Sequence, residues 1–219
     1  RQAVNAALNV EDILQAAYGG AEFYSMNHEY MSERQTEWYT DTGKEMYETY
    51  DPELAKQLLD EAGYDGEEIV LITTRDFADY YNIGVVLEQQ LSNIGMNVRL
   101  DVADDATTNE RRNDADAYDM YINGWHLRPH PLQYPFLDSS TEFPGWTDSA
   151  EIDRLLEEVN YATSQEEARA FTAELQEEIW DYLPLIKPGN RSIITSINNR
   201  VEGFNNFHGP ILWNVSVGE

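Results

Sequence analysis

The sequence contains no cysteine. That absence excludes thiol catalysis, Cys-ligated zinc and iron–sulfur clusters, but leaves the compartment open, since exported proteins without cysteine are common. A chain of 219 residues buries roughly 70% of its unfolded surface, so it needs no disulfide staples. Long hydrophobic runs are missing as well. A stretch such as Ile69-Val70-Leu71-Ile72 falls far short of the roughly 20 residues of a membrane span, and no cleavable signal is visible. Positive charge is scarce: 14 basic residues, of which only Lys44, Lys56 and Lys187 are lysines, stand against 41 acidic ones, a net charge of −27. A polyanionic surface repels phosphate backbones, which excludes nucleic acid as a partner. The carboxylates are spread along the chain rather than blocked. This favours a solvated surface suited to high salt over a docking patch for a cationic partner.

What the sequence does contain is a succession of helix and strand signals. Arg1–Leu8 reads as a helix already under way, with Val4, Ala7 and Leu8 on one face and no cap, so the expectation is a piece of a larger chain. Asn9 is placed to cap a second helix carrying Ile13 and Leu14, which Gly19-Gly20 ends. Residues 21–50 hold many aromatics without a period, which predicts an ordered irregular excursion. Asp51-Pro52 then opens a helix whose expected buried stripe is Leu54, Ala55, Leu58, Leu59 and Ala62, stopped by Gly63. A strand at 69–73, a helix capped by Asp79 and closed by Gly95, and a strand at 96–100 follow. This order implies a crossover unit of parallel strands and an α/β class. A strand at 118–122 leads into a loop over 123–135. Ile152, Leu155, Leu156 and Val159 mark a further helix, and Ser164 with Glu167 forms a capping box for the next.

The residues of the loop invite chemical readings. Trp125 is either the apolar wall of a ligand pocket or a core aromatic at a strand end. Arg128 either clamps a carboxylate with its bidentate fork or ties the loop to a neighbouring acid. His126 and His130 are four apart, a metal spacing on a helix, but Pro129 and Pro131 oppose a helix here, so no metal is expected. His28 and His208 are isolated and receive no role. Glu157-Glu158, Glu166-Glu167 and Glu177-Glu178 read as solvated faces, because neighbours at i and i+1 do not face each other. No nucleophile elbow, P-loop or dinucleotide fingerprint occurs. No catalytic residue and no cofactor is assigned.

Three stretches carry a resemblance. Arg1-Gln2-Ala3-Val4-Asn5-Ala6-Ala7-Leu8-Asn9 opens the chain. Tyr50-Asp51-Pro52-Glu53-Leu54-Ala55-Lys56-Gln57-Leu58-Leu59-Asp60-Glu61-Ala62-Gly63-Tyr64 is the most specific. Gly124-Trp125 through Trp146-Thr147-Asp148-Ser149-Ala150-Glu151-Ile152-Asp153 is the third. Together they resemble the solute-binding proteins of ABC importers of the peptide/nickel-binding family, family 5, whose members carry dipeptides, oligopeptides, glutathione and nickel chelates.

The resemblance implies the carboxy-terminal lobe of a two-lobed, periplasmic-binding-protein-like fold (type II, cluster C) with a mixed sheet flanked by helices. Residues 1–197 would form that lobe, and residues 198–219 a tail returning toward an amino-terminal lobe outside this chain. The implied ligand-facing residues are Asn123, Gly124, Trp125, His126, Arg128 and His130. Where many peptide-binding members have an aspartate for the peptide's amino terminus, this chain has Arg128. The spacing resembles a subgroup with "GWxxRxDP", with His130 in place of its aspartate. The implied partners are a small peptide or similar organic solute and the permease subunits, the implied state a monomer. The location would be extracellular or periplasmic, with any lipid anchor on an amino terminus outside this chain. A metal-chelate receptor of the same family, and a secreted hydrolase using paired carboxylates, are the alternatives.

Overall fold

A computed structural model describes residues 1–47, 49–206 and 210–218; His208 lies outside the described residues. The chain begins with α1 (Gln2–Ala7), which has no side-chain cap, and α2 (Val10–Tyr18), capped by the Asn9 side chain accepting from the Asp12 N–H at 3.1 Å. A short strand β1 (Tyr24–Ser25) follows, and then an excursion without a long element up to residue 50. α3 (Pro52–Ala62) starts as its sequence dictates. The Asp51 carboxylate accepts from the N–H groups of Glu53 and Leu54, Pro52 occupies the first turn, and Gly63 takes the left-handed conformation at the end.

Next come β2 (Glu68–Thr74), α4 (Ala78–Asn93) and β3 (Asn97–Ala103), the expected crossover unit. β2 pairs in parallel with β3 from Glu68↔Asn97 to Thr74↔Ala103. α5 (Asp105–Arg111) leads to β4 (Met120–Tyr121), which pairs in parallel with the other edge of β2. The sheet order is therefore β3-β2-β4, with the most apolar strand in the centre, where Leu71 and Ile72 are fully buried. All three strands are parallel; the antiparallel pairings are short ladders outside this sheet, such as β1 with β5 (Asn190–Arg191). Gly84 lets α4 press onto the sheet, since a Cβ there would lie 2.9 Å from the Leu100 side chain and 3.2 Å from that of Thr73.

Two further helices, α6 (Ala150–Tyr161) and α7 (Gln165–Tyr182), pair with each other. Ser149 caps the first. Ser164 caps the second by accepting from the Glu167 N–H at 3.2 Å, while the Glu167 carboxylate reaches back to the Thr163 N–H at 2.7 Å. The apolar face of this pair, including Ile152, Leu155, Leu175 and Ile179, builds a core with Tyr30, Met31 and Trp180. A second core lies between the sheet, α1 and α4. The Glu pairs largely face solvent. Glu158 and Glu178 are half-buried; Glu178 accepts from the Ser149 hydroxyl at 3.4 Å, and burial raises its carboxyl above the ordinary range.

Three expectations need correction. Asp79 does not cap α4: the cap position is Phe77, two residues earlier, and the Asp79 carboxylate instead pairs with Arg191 at 2.8 Å. The stripe of α3 is narrower than expected. Ala55 is fully buried and Leu58 and Leu59 half-buried, but Leu54 and Ala62 are exposed, because α3 meets the core along one line only. The strand expected at 118–122 is limited to Met120–Tyr121, since only Leu71 and Ile72 of β2 pair with it. α5 was invisible in sequence because, of its seven residues, only Thr108 is buried.

The excursion over 21–50 is ordered by long-range bonds rather than by a repeat. The buried Gln176 side chain of α7 accepts from the Tyr30 N–H at 3.2 Å and donates to the carbonyls of Thr40, at 3.2 Å, and Thr42. The Tyr47 hydroxyl donates to the Pro188 carbonyl, and the Lys187 ammonium to the Glu29 carbonyl. Burial pulls the Lys187 pKa down to about 8 against the opposing attraction of Glu29.

Candidate functional site

In a parallel α/β sheet, ligand crevices lie outside the carboxyl ends of the strands. Here those ends are Thr74, Ala103 and Tyr121. The loop from residue 123 to 135 leaves the last of them, so every candidate on it starts from that edge.

Asn123 and Gly124 form the first turn of the loop, where the Asn123 side-chain oxygen accepts the Gly124 N–H at 2.9 Å. Gly124 must be small: a Cβ there would lie 2.6 Å from the Tyr80 hydroxyl, delivered by the first turn of α4. Burial pushes the Tyr80 phenol up, with the nearby Arg191 charge opposing it. Sequence reasoning missed Tyr80, Phe77 and the Asp79–Arg191 pair. The signal available for Phe77, Asp79 and Tyr80 was their place just after β2, at the carboxyl edge; Arg191 comes from β5. Phe77 is 47% exposed there and meets Tyr80 edge-on at 5.6 Å.

Trp125 is half-buried and wedged edge-on between Phe136 at 5.5 Å and Phe143 at 5.3 Å. Packed against these two rings, it has the surroundings of a partly buried aromatic at a strand end. Over its ring, 5.6 Å from the centroid, stands the Arg128 guanidinium, a cation–π arrangement worth about 0.5–1 kcal/mol when exposed. Among the described residues no carboxylate forms an ion pair with Arg128. The tie to a neighbouring acid is therefore not what holds the loop.

The backbone of Arg128 is held instead. Its N–H donates to the Tyr134 hydroxyl at 3.0 Å, and its carbonyl accepts from the Gln35 side chain. Tyr134 is buried, which raises its phenol, while the Arg128 N–H and charge oppose the rise. His130 is half-buried, with its ring 4.3 Å from that of Trp38 in an edge-on contact. Its Nδ1 accepts the Leu132 N–H at 3.2 Å and so caps the short 3-10 turn Pro131–Gln133. Burial lowers its pKa. His126 is exposed on the same loop. Among the described residues no group of three or more His, Asp or Glu side chains is gathered as a metal site. Sequence reasoning also missed Gln35, Trp38 and Tyr134, because they reach the loop from remote or turn positions that no local period marks.

The arrangement is an exposed fork of five N–H donors over an aromatic ring, fixed through its main chain, and such a fork can donate to a carboxylate. The chain as a whole is similar to known proteins. Residues 1–148 match the family model of bacterial extracellular solute-binding proteins, family 5 Middle. A probable peptide ABC transporter periplasmic-binding protein of Sinorhizobium fredii is 28% identical over 233 residues, which cover 98% of this chain and 42% of that protein. The oligopeptide-binding protein AppA of Bacillus subtilis is 28% identical over 178 residues, 72% of this chain and 32% of that protein.

Among solved structures, the ABC transporter substrate-binding protein CtaP of Listeria monocytogenes is 26% identical with a TM-score of 0.73, over 83% of this chain and 38% of that one. A dipeptide-binding protein of Pseudoalteromonas, solved with Met-Leu, is similar in fold, with a TM-score of 0.80 at 24% identity over 99% of this chain and 44% of that one. The chain spans less than half the length of these relatives. The family match covers more than half of the present sequence, and the chain belongs to family 5 of the bacterial extracellular solute-binding proteins.

Proposed function

We propose that this chain supplies one wall of the ligand cleft in an extracellular or periplasmic receptor that captures a small peptide or similar carboxylate-bearing solute for an ABC importer. Residues 1–197 act as the carboxy-terminal lobe, and residues 198–219 return toward a second lobe. The observation that carries the reading is Arg128, exposed and backed by Trp125, in a chain with 41 acidic residues and no carboxylate paired with this guanidinium among the described residues. Asn123, Gly124, His126 and His130 complete this side of the cleft. Family membership supports binding rather than catalysis, and the peptide-transport names of the relatives support the solute class.

Ligand would shift an open–closed equilibrium of the two lobes, and the closed form would be what the permease reads. The test is isothermal titration of the monomeric full-length protein with short peptides and with their carboxy-terminal amides. Binding of the free acids and loss of affinity for the amides is the expected result. Equal affinity for both would remove the carboxylate from the reading.

A further inference from the structure

We propose that His130 is a proton-sensitive cap for the loop that carries Trp125 and Arg128, so that acidification through the histidine range loosens this loop and weakens ligand binding. The statement about binding rests on the role proposed above for Arg128; the statement about the cap does not.

The residue before a helical turn has one duty, to accept an N–H that the turn leaves free. Side-chain oxygens of Asp, Asn, Ser and Thr usually perform it, and they accept a hydrogen bond throughout the neutral range. At this turn the acceptor is the Nδ1 of His130, 3.2 Å from the Leu132 N–H. Pro131 has no N–H, so the Leu132 donor is the first that needs a partner. An imidazole nitrogen accepts only while unprotonated, and in the imidazolium both nitrogens are donors. Protonation of Nδ1 would therefore set a donor against a donor.

The turn matters because it stands between His130 and Tyr134. Tyr134 closes the turn, its N–H bonded to the Pro131 carbonyl at 3.3 Å, and its hydroxyl receives the Arg128 N–H at 3.0 Å. Losing the cap thus loosens the group that fixes Arg128. The remaining surroundings of His130 favour the neutral imidazole. It packs edge-on against Trp38, and burial is what holds its pKa below the usual histidine value. The charged and titratable groups on the segments that meet it are His126 and Arg128 on its own loop and Glu33, Arg34, Glu37, Tyr39 and Asp41 around Trp38; burial, and none of these, produces the shift. A depressed folded pKa fixes the sign. The capped loop is fully favoured above the ordinary histidine pKa of about 6.5 and is lost as pH falls below it.

The experiment is NMR of the full-length protein between pH 8 and pH 5, comparing wild type with His130→Asp and His130→Ala. The readouts are the ring nitrogen shifts of His130, the Leu132 amide protection corrected for intrinsic exchange, and the Trp125 indole resonance. In wild type, Leu132 protection should fall about fivefold as His130 protonates, the factor that an ordinary cap is worth, and the Trp125 signal should move with it. His130→Asp should stay protected throughout, and His130→Ala should be unprotected at every pH. Constant protection in wild type, or an equal fall in the Asp variant, would overturn the cap.

In parallel, the dipeptide Ala-Phe is titrated at both ends of the range. Affinity that drops with acid in wild type and stays level in His130→Asp supports the link to the ligand. PH-independent affinity in wild type, with the cap lost, overturns that link. If Ala-Phe does not bind at any pH, the ligand role of Arg128 fails for this peptide class and the link fails with it, while the exchange data still decide the cap.

Discussion

The unit β2–α4–β3 and the region formed by residues 21–50 with the loop after β4 are held by different means. In the crossover unit the backbone satisfies itself through a parallel ladder seven residues long on each strand and one long helix, and burial follows the apolar period. In the irregular region single side chains reach across the sequence to satisfy carbonyls. Gln176 binds Thr40 at a separation of 136 residues, and Lys187 binds Glu29 at a separation of 158. The first region is a scaffold whose stability comes from area. The second is a surface whose shape comes from a few directed bonds, the arrangement in which binding residues are generally found. Changes in the loop should then leave the sheet undisturbed.

That contrast breaks most visibly under substitutions of matched size. Leu91 is fully buried between α4 and the sheet, so Leu91→Ala should cost about 3 kcal/mol by loss of transfer energy and an unfilled cavity. Urea unfolding checks it, with a shifted midpoint and an unchanged slope. Gln176→Leu keeps most of the volume but removes the partner of Tyr30, Thr40 and Thr42. It should cost about 2 kcal/mol, the desolvation left at unsatisfied buried groups. Hydrogen exchange should show the loss concentrated in residues 30–42 and absent from β2 and β3. A uniform loss across both regions would mean that they are one cooperative body, and the contrast would have to be abandoned.

The same contrast explains what could be read from sequence. Asp51-Pro52 with Gly63, Ser164 with Glu167, and the order β2–α4–β3 were legible because caps and periods act over a few residues. Asp79 misled because it lies close enough to a helix start to serve as a cap, yet Arg191, 112 residues away, claims its carboxylate. Leu54 misled because a helical period specifies a face but not how wide a neighbour covers it. At the site, Trp125 and Arg128 were visible as residue types next to a strand end. Their mutual stacking, and the support from Gln35, Trp38 and Tyr134, were not, because each depends on the excursion's fold rather than on local spacing.

The most direct test of the account is the affinity of full-length Arg128→Ala for a carboxylate-bearing peptide, measured by calorimetry beside wild type. The fork is exposed and its main chain is fixed by other residues, so the variant should fold normally. It should lose about 1.5–3 kcal/mol of binding, the worth of a charge-assisted hydrogen bond, at least roughly a tenfold drop in affinity. An unchanged affinity, with the variant's melting temperature also unchanged, would contradict the assignment of this loop as the carboxylate-recognising wall.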